Sequence, residues 1–351
     1  MNDIYKEVIS MNKLRIGSVG LGRLGYEHAF NMAKLIPDCE LVALCDIAED
    51  HLKAVAKELD VPNVYTDFEE MCKNPDIDAI TIVSPSALHP EQIRIAMDYG
   101  KHVFYEKPLG STIEACKTAE SAVEEHPDLI FMLGFMRRFD PSYLDAKARI
   151  DRGEIGRIIL VRSYTQDPIS TIEGTLKFAP HSGGQFLDMC VHDIDLVRWF
   201  SGAQPERVWG IGGCFEFEEY RQWNDGDNVS IMLQCDDETM AFMFAGRAAA
   251  HGSNVETEII GTRGALRIAA VPSPNLLEIF DEYGVRKECY QDFVSRWHQA
   301  YINEIEEFCR CILDKRHPEV TVYDGTATSR IAYRCKESFE IGEMLKIDWK
   351  N

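Results

Sequence analysis

Three stretches of this chain hold reactive side chains where an ordinary fold has little use for them. The first is "VFYEKPLG" (103–110), where Glu106 and Lys107 follow an apolar, strand-like run. A charged pair at the end of a buried strand is unfavourable unless each member finds a partner. The second is "SGGQFLDMCVHDIDLVRWFSG" (182–202), a mostly apolar run whose spacing predicts one long helix over 183–200. On such a helix Asp188, His192 and Asp195 share one face at i, i+4 and i+7, and Asp188 neighbours His192. A carboxylate beside an imidazole fixes its tautomer and raises its basicity, as a general base requires. Asp193 points about 100° away. The third is "SVGLGRLG" (18–25), with Gly20, Gly22 and Gly25 in G-x-G-x-x-G spacing.

That spacing alone is common. Here a strand precedes it, a helical pattern follows, and the next strand ends in Asp46. Gly20 then makes the tight turn, Gly22 admits a pyrophosphate close to the backbone, and Gly25 lets helix and strand pack. Arg23 and Leu24 complete the loop at a helix N-terminus, which favours an anion. Asp46 is placed for ribose hydroxyls and repels a 2′-phosphate, and no arginine follows it in "CDIAED", so NAD is expected over NADP. Ser84, Pro85 and His89 in "TIVSPSALHP" close the next strand and count with the cofactor residues, as do Glu106 and Lys107. Bland readings stand beside these. Ser84-Pro85 also suits a plain strand-to-helix turn, His89 a solvent-exposed helix start, Lys107 a surface lysine paired with Glu106, and Asp188–His192 a structural tie. No metal site is expected, because no second histidine has suitable spacing from Asp188 and His192.

The elements that position these residues follow from the pattern. From 13 to 134, apolar runs at 14–19, 40–45, 78–83, 102–105 and 129–134 alternate with helical stretches, which predicts a parallel α/β domain of Rossmann type. Beyond 135 the closely spaced strands "RVWGIGGCFEF", "VSIMLQCD", "TMAFMFAGRA" and "VETEIIGTRGALRI" predict an α+β domain with a large, mostly antiparallel open sheet, extending to 351. Residues 1–12 read as a polar tail without a signal-peptide core. A formal net charge of -21 argues against a nucleic-acid or anionic-membrane partner. Eleven cysteines without a C-x-x-C pair suggest free thiols in a cytoplasmic setting.

The glycine loop, "SPSALHP", "EKPLG", "GFMRRFD" and "SGG…LDMCVHDIDLVRWF" occur in an order that resembles the glucose–fructose oxidoreductase and inositol dehydrogenase (Gfo/Idh/MocA) family, over nearly the whole chain after residue 12. "GFMRRFDPSY" and "DMCVHDIDLVRWF" look most like its inositol 2-dehydrogenase branch. The resemblance implies Lys107, Asp188 and His192 as the catalytic group. It implies Arg137, Asp167 and His251 as further substrate contacts, His251 standing where other inositol dehydrogenases can carry a tyrosine. The activity implied is oxidation of myo-inositol or scyllo-inositol to a keto-inositol by hydride transfer to NAD, with His192 as base. An aldose or other sugar dehydrogenase is the alternative. A non-catalytic NAD-binding regulator is a distant one, for which loss of the lysine and histidine would be expected. The resemblance also implies a homotetramer.

Overall fold

The computed structural model describes residues 13–110, 112–269 and 271–349, so the expected tail at 1–12 lies outside the described residues. The chain divides into two compact units. The first holds the described residues up to Met136 together with Gln299–Thr326, and the second holds Arg137–His298 and the described residues from Ala327. Gln299–Thr326 therefore packs with the first unit, whereas patterning along the sequence groups it with the second domain. A contiguous reading cannot see a chain that returns.

In the first unit, β1 (Leu14–Val19), β2 (Cys39–Cys45), β3 (Asn63–Tyr65), β4 (Ala79–Ile82), β5 (His102–Glu106) and β6 (Phe131–Gly134) form one parallel sheet in the order β3-β2-β1-β4-β5-β6. Both faces are covered by helices, so β4 is buried throughout and β5 and β6 nearly so. The strand order reverses between β1 and β4, and a ligand crevice opens beyond the carboxyl ends at such a point. Val19 pairs with Ile82, and Ile82 with Tyr105, so the segments after β1, β4 and β5 start level with one another. The helix Arg23–Lys34 follows β1, and His89–Asp98 follows β4 and gives way at Gly100, whose φ is +73°.

The second unit is built on β7 (Ile158–Pro168), β8 (Pro205–Gly213), β9 (Asn228–Cys235), β10 (Met240–Ala249), β11 (Asn254–Gly261) and β12 (Ala265–Ile268). A small separate hairpin, β13 (Ile279–Asp281) and β14 (Gly284–Arg286), and a last short strand, β15 (Leu345–Lys346), complete the strands. The large sheet runs β12-β11-β7-β10-β9-β8-β15. Only the β7–β10 pairing is parallel, which makes the sheet mixed and mostly antiparallel, as expected. The helix Cys190–Ser201 packs against β7 and β10. On the opposite face, Trp209 pairs with Met232 and Met232 with Phe242, and Ile211, Ser230, Phe244 and Tyr164 make the next row. Trp209 is 41% exposed, Ile211 45% and Met232 52%, so this face presents an apolar stripe.

Candidate active site

The glycine loop is built as its spacing requires. Gly20 has φ +86°, and a Cβ there would lie 2.7 Å from the backbone of Val83 and Ser84. A Cβ on Gly25 would lie 1.9 Å from the Gly20 carbonyl oxygen, so only glycine lets the helix sit this close to β1. Gly22 differs, because its Cβ would meet nothing within 4 Å. Nothing among the described residues demands a glycine there, and the open space fits a pyrophosphate approaching the backbone. Gly22 and Arg23 are exposed and Leu24 half-buried at the helix N-terminus. Asp46 braces the same loop: Oδ2 accepts from the Leu21 amide at 2.7 Å and Oδ1 from the Ala48 amide at 2.8 Å. A half-buried carboxylate fixed this way at the end of β2 suits a ribose diol.

The next two strand ends are tied together. His89, counted with the cofactor residues and alternatively read as a solvent-exposed helix start, is 2% exposed, because the turn Ser86–Leu88 folds its ring back against β5. Its Nε2 donates to the Ser84 carbonyl at 2.5 Å, and Nδ1 meets the Tyr105 hydroxyl. Burial pushes the imidazole down to about 4, which makes His89 a neutral brace rather than an acid–base group. Ser84 bonds Gln92 through its hydroxyl, while Pro85 is exposed. Glu106 is buried. Oε1 accepts from His28 Nε2 at 2.8 Å and Oε2 from the Lys107 amide at 3.2 Å. Gly134 leaves room for that carboxyl, since a Cβ there would lie 3.1 Å from Oε1. Lys107 is half-buried, and its bond to Pro108 is cis.

In the second unit the expected long helix is broken. A short helix, Gln185–Asp188, ends at Met189, and a new one runs Cys190–Ser201. The "SGG" run sets where the first of them begins: Gly183 and Gly184 have φ +77° and +91°, and the Gln185 amide is caught by the buried Asp225 carboxylate at 3.0 Å. Asp188 and His192 therefore sit on successive helices rather than one stripe. Asp188 is half-buried, with Oδ2 held by Arg247 NH1 at 3.2 Å, and His192 is buried. Arg247 is fully buried above the Tyr220 ring, at 5.4 Å from its centroid. Burial disfavours its charge, but Asp188, Tyr220, Asp225 and Asp167 outweigh that and raise its pKa.

Two further residues are paired in the interior. Asp195 is clamped by Arg138 at 2.8 and 2.5 Å rather than joining Asp188 and His192. Arg137, implied as a hydroxyl contact, is 3% exposed, with NH1 on Asp193 at 2.6 Å and NH2 on Thr165 at 3.0 Å. Losing one member of such a buried pair costs about 3–5 kcal/mol, so Arg137 braces the interior. Asp167 is half-buried at the end of β7, and His251 is exposed just beyond β10. Both lie at the carboxyl ends of the parallel pair, as Arg247 does. Arg247, His28 and Glu304 are the residues that sequence reading missed.

A parallel sheet with a reversal point, a glycine loop fitted to a pyrophosphate, and an acidic brace at the ribose position define a nicotinamide-dependent oxidoreductase. Residues 14–135 match the model of an oxidoreductase family with an NAD-binding Rossmann fold, and 143–267 match the Gfo/Idh/MocA C-terminal domain. The chain belongs to the Gfo/Idh/MocA family. It is 34% identical to scyllo-inositol 2-dehydrogenase (NAD(+)) of Bacillus subtilis, over 97% of this chain and 98% of that one. It is 43% identical to a crystal structure of scyllo-inositol dehydrogenase from Lactobacillus casei with bound NAD(H) and scyllo-inositol (TM-score 0.92, covering 95% and 99%). A crystal structure of myo-inositol 2-dehydrogenase from Lactobacillus plantarum is 38% identical (TM-score 0.93, covering 96% and 100%).

Proposed function

We propose that this chain is an NAD-dependent inositol dehydrogenase that oxidises one ring hydroxyl of myo-inositol or scyllo-inositol to a ketone. The observation that carries this reading is one of extent: the chain is similar over nearly its full length to inositol dehydrogenases, and it has the Lys107, Asp188 and His192 that the family resemblance implies as the catalytic group. NAD supplies the hydride acceptor. Gly20, Gly22, Gly25 and the start of the helix Arg23–Lys34 hold the pyrophosphate, and Asp46 holds the ribose. His192 takes the hydroxyl proton on a ring nitrogen, and Asp188, itself steadied by Arg247, orients that ring. Lys107 donates a hydrogen bond to the reacting oxygen as it gains charge. Asp167 and His251 contact the remaining hydroxyls. All eleven cysteines are buried as thiols rather than joined in disulfides, which supports a reducing, cytoplasmic setting.

A panel of myo-inositol, scyllo-inositol, glucose, xylose and open-chain polyols, followed by NADH absorbance, tests the reading. Turnover of an inositol at least tenfold above every aldose is expected; reduction of NAD by aldoses alone would overturn it in favour of a sugar dehydrogenase. We also propose a homotetramer formed through the exposed stripe around Trp209, Ile211 and Met232. Light scattering should give four chains per particle, and Met232→Lys should give smaller ones.

A further inference from the structure

A buried cluster of ionisable side chains includes Glu106, the neighbour of Lys107. His28 from the helix Arg23–Lys34, Glu106 from β5 and Glu304 from the helix Phe293–Leu313 bring one ligand-type atom each to within 4.8 Å of one another. His28 and Glu304 are fully buried and Glu106 is 4% exposed. Glu304 Oε1 stands 3.9 Å from His28 Nε2, and neither of its carboxyl oxygens has a hydrogen-bond partner among the described residues. The rings of Phe104 and Tyr301 pack edge-on against His28, at 5.6 and 5.4 Å between centroids, so its surroundings there are apolar.

Two carboxylates this close in a dry interior repel strongly, and one histidine can compensate only one of them. His28 gives its Nε2 hydrogen to Glu106, while Nδ1 finds no acceptor among the described residues, so an imidazolium would strand an N–H. Glu106 is the carboxyl that has partners, His28 and the Lys107 amide. We infer that Glu304 stands as a neutral carboxylic acid and is a positioning residue for Lys107, acting through Glu106. Burial first, and then the neighbouring Glu106, hold the Glu304 carboxyl well above the usual carboxylate range. The titratable groups facing it are His28 and Glu106, with Tyr301 on its own helix.

This inference rests on the catalytic role proposed for Lys107, and its test separates the two. Glu304→Gln copies the neutral acid. A group whose pKa is raised by folding stabilises the fold fully below its unfolded value, near 4.3, and loses that stabilisation as pH rises. The Gln variant escapes this loss, so its Tm advantage over the unaltered protein should grow steadily between about pH 5 and 8. Glu304→Ala should lower kcat about tenfold or more with KM for NAD within about threefold, Gln should restore most of it, and neither should lower kcat further in a Lys107→Met background. A Tm difference that does not grow with pH, or a Gln variant as slow as the Ala variant, would overturn the inference. So would one equivalent of metal by elemental analysis that Glu304→Gln removes, because the cluster would then be a cation site. If no inositol is turned over, the functional reading fails, yet the Tm series still reports the charge of Glu304.

Discussion

Replacing His192 by alanine is expected to lower kcat for inositol oxidation about a thousandfold, while the protein still binds NAD with nearly unchanged affinity. A positioned general base contributes roughly 10²–10⁴ in rate, and a thousandfold loss corresponds to about 4 kcal/mol of transition-state stabilisation. The split between turnover and cofactor binding follows from placement. His192 belongs to the second unit, on the helix Cys190–Ser201, whereas the glycine loop and Asp46 belong to the first. Steady-state kinetics and NADH fluorescence titration of the same preparation check both halves. Turnover within a few-fold of the unaltered protein would show that the proton leaves by another group. Asp188→Asn should fall between the two, since it keeps a hydrogen-bonding side chain near Arg247 but removes the charge that steadies an imidazolium.

The first unit was legible because its rules are local. Strand, glycine turn, helix and terminal aspartate lie within one contiguous stretch, and their spacing alone predicts the Gly20 turn and the close approach at Gly25. The short strand β3 escaped, since three residues show no periodicity. In the second unit β7 also escaped, although it lies at the centre of the sheet between β11 and β10. Its run "IILVRSYTQDP" carries arginine, glutamine and aspartate that patterning assigns to loops. Arg162 is in fact paired across the sheet with Glu258 at 2.8 Å on the outward face.

The site was harder to read, for a physical reason. Sequence patterning finds apolar faces, and the charged residues inside those faces look like interruptions. Glu304 sits among Ala300, Tyr301, Ile305 and Phe308, at i, i+3 and i+4 spacings on a buried helical stripe, and that position was the available signal. Arg247 likewise occupies an inward position of β10, after the buried Met243 and Ala245. Such groups survive burial only with partners, and the partners, Asp188 for Arg247 and His28 with Glu106 around Glu304, come from distant parts of the chain. The late start of the first short helix was hidden for a similar reason, since Asp225 catches the Gln185 amide from forty residues away. Arg137 is a similar case: the family motif singles it out, but only its pairing with Asp193 shows it bracing the interior.

Lys107→Met should reduce kcat by roughly 10²–10³, the range seen when one donor to a developing oxyanion is removed. Methionine keeps the length and apolar stem of lysine, so the change isolates the donated hydrogen bond. The loss should appear in kcat and in kcat/KM alike, because the bond strengthens only as the substrate oxygen gains charge. Lys107→Arg should not restore the rate. Its planar fork presents donors in a fixed plane, whereas an amine on a flexible stem can be aimed at one oxygen. The aim comes from the backbone: the Lys107 amide is held by Glu106 Oε2, and Glu106 in turn by His28. Glu106→Gln should therefore also slow turnover, by less than Lys107→Met, since the amide keeps an acceptor but the contact with His28 loses its charge. Kinetics of the three variants against NAD and inositol give the ranking. If Lys107→Met leaves kcat within about threefold, the lysine is a cofactor contact alone, and the buried cluster beneath it serves the fold rather than the reaction.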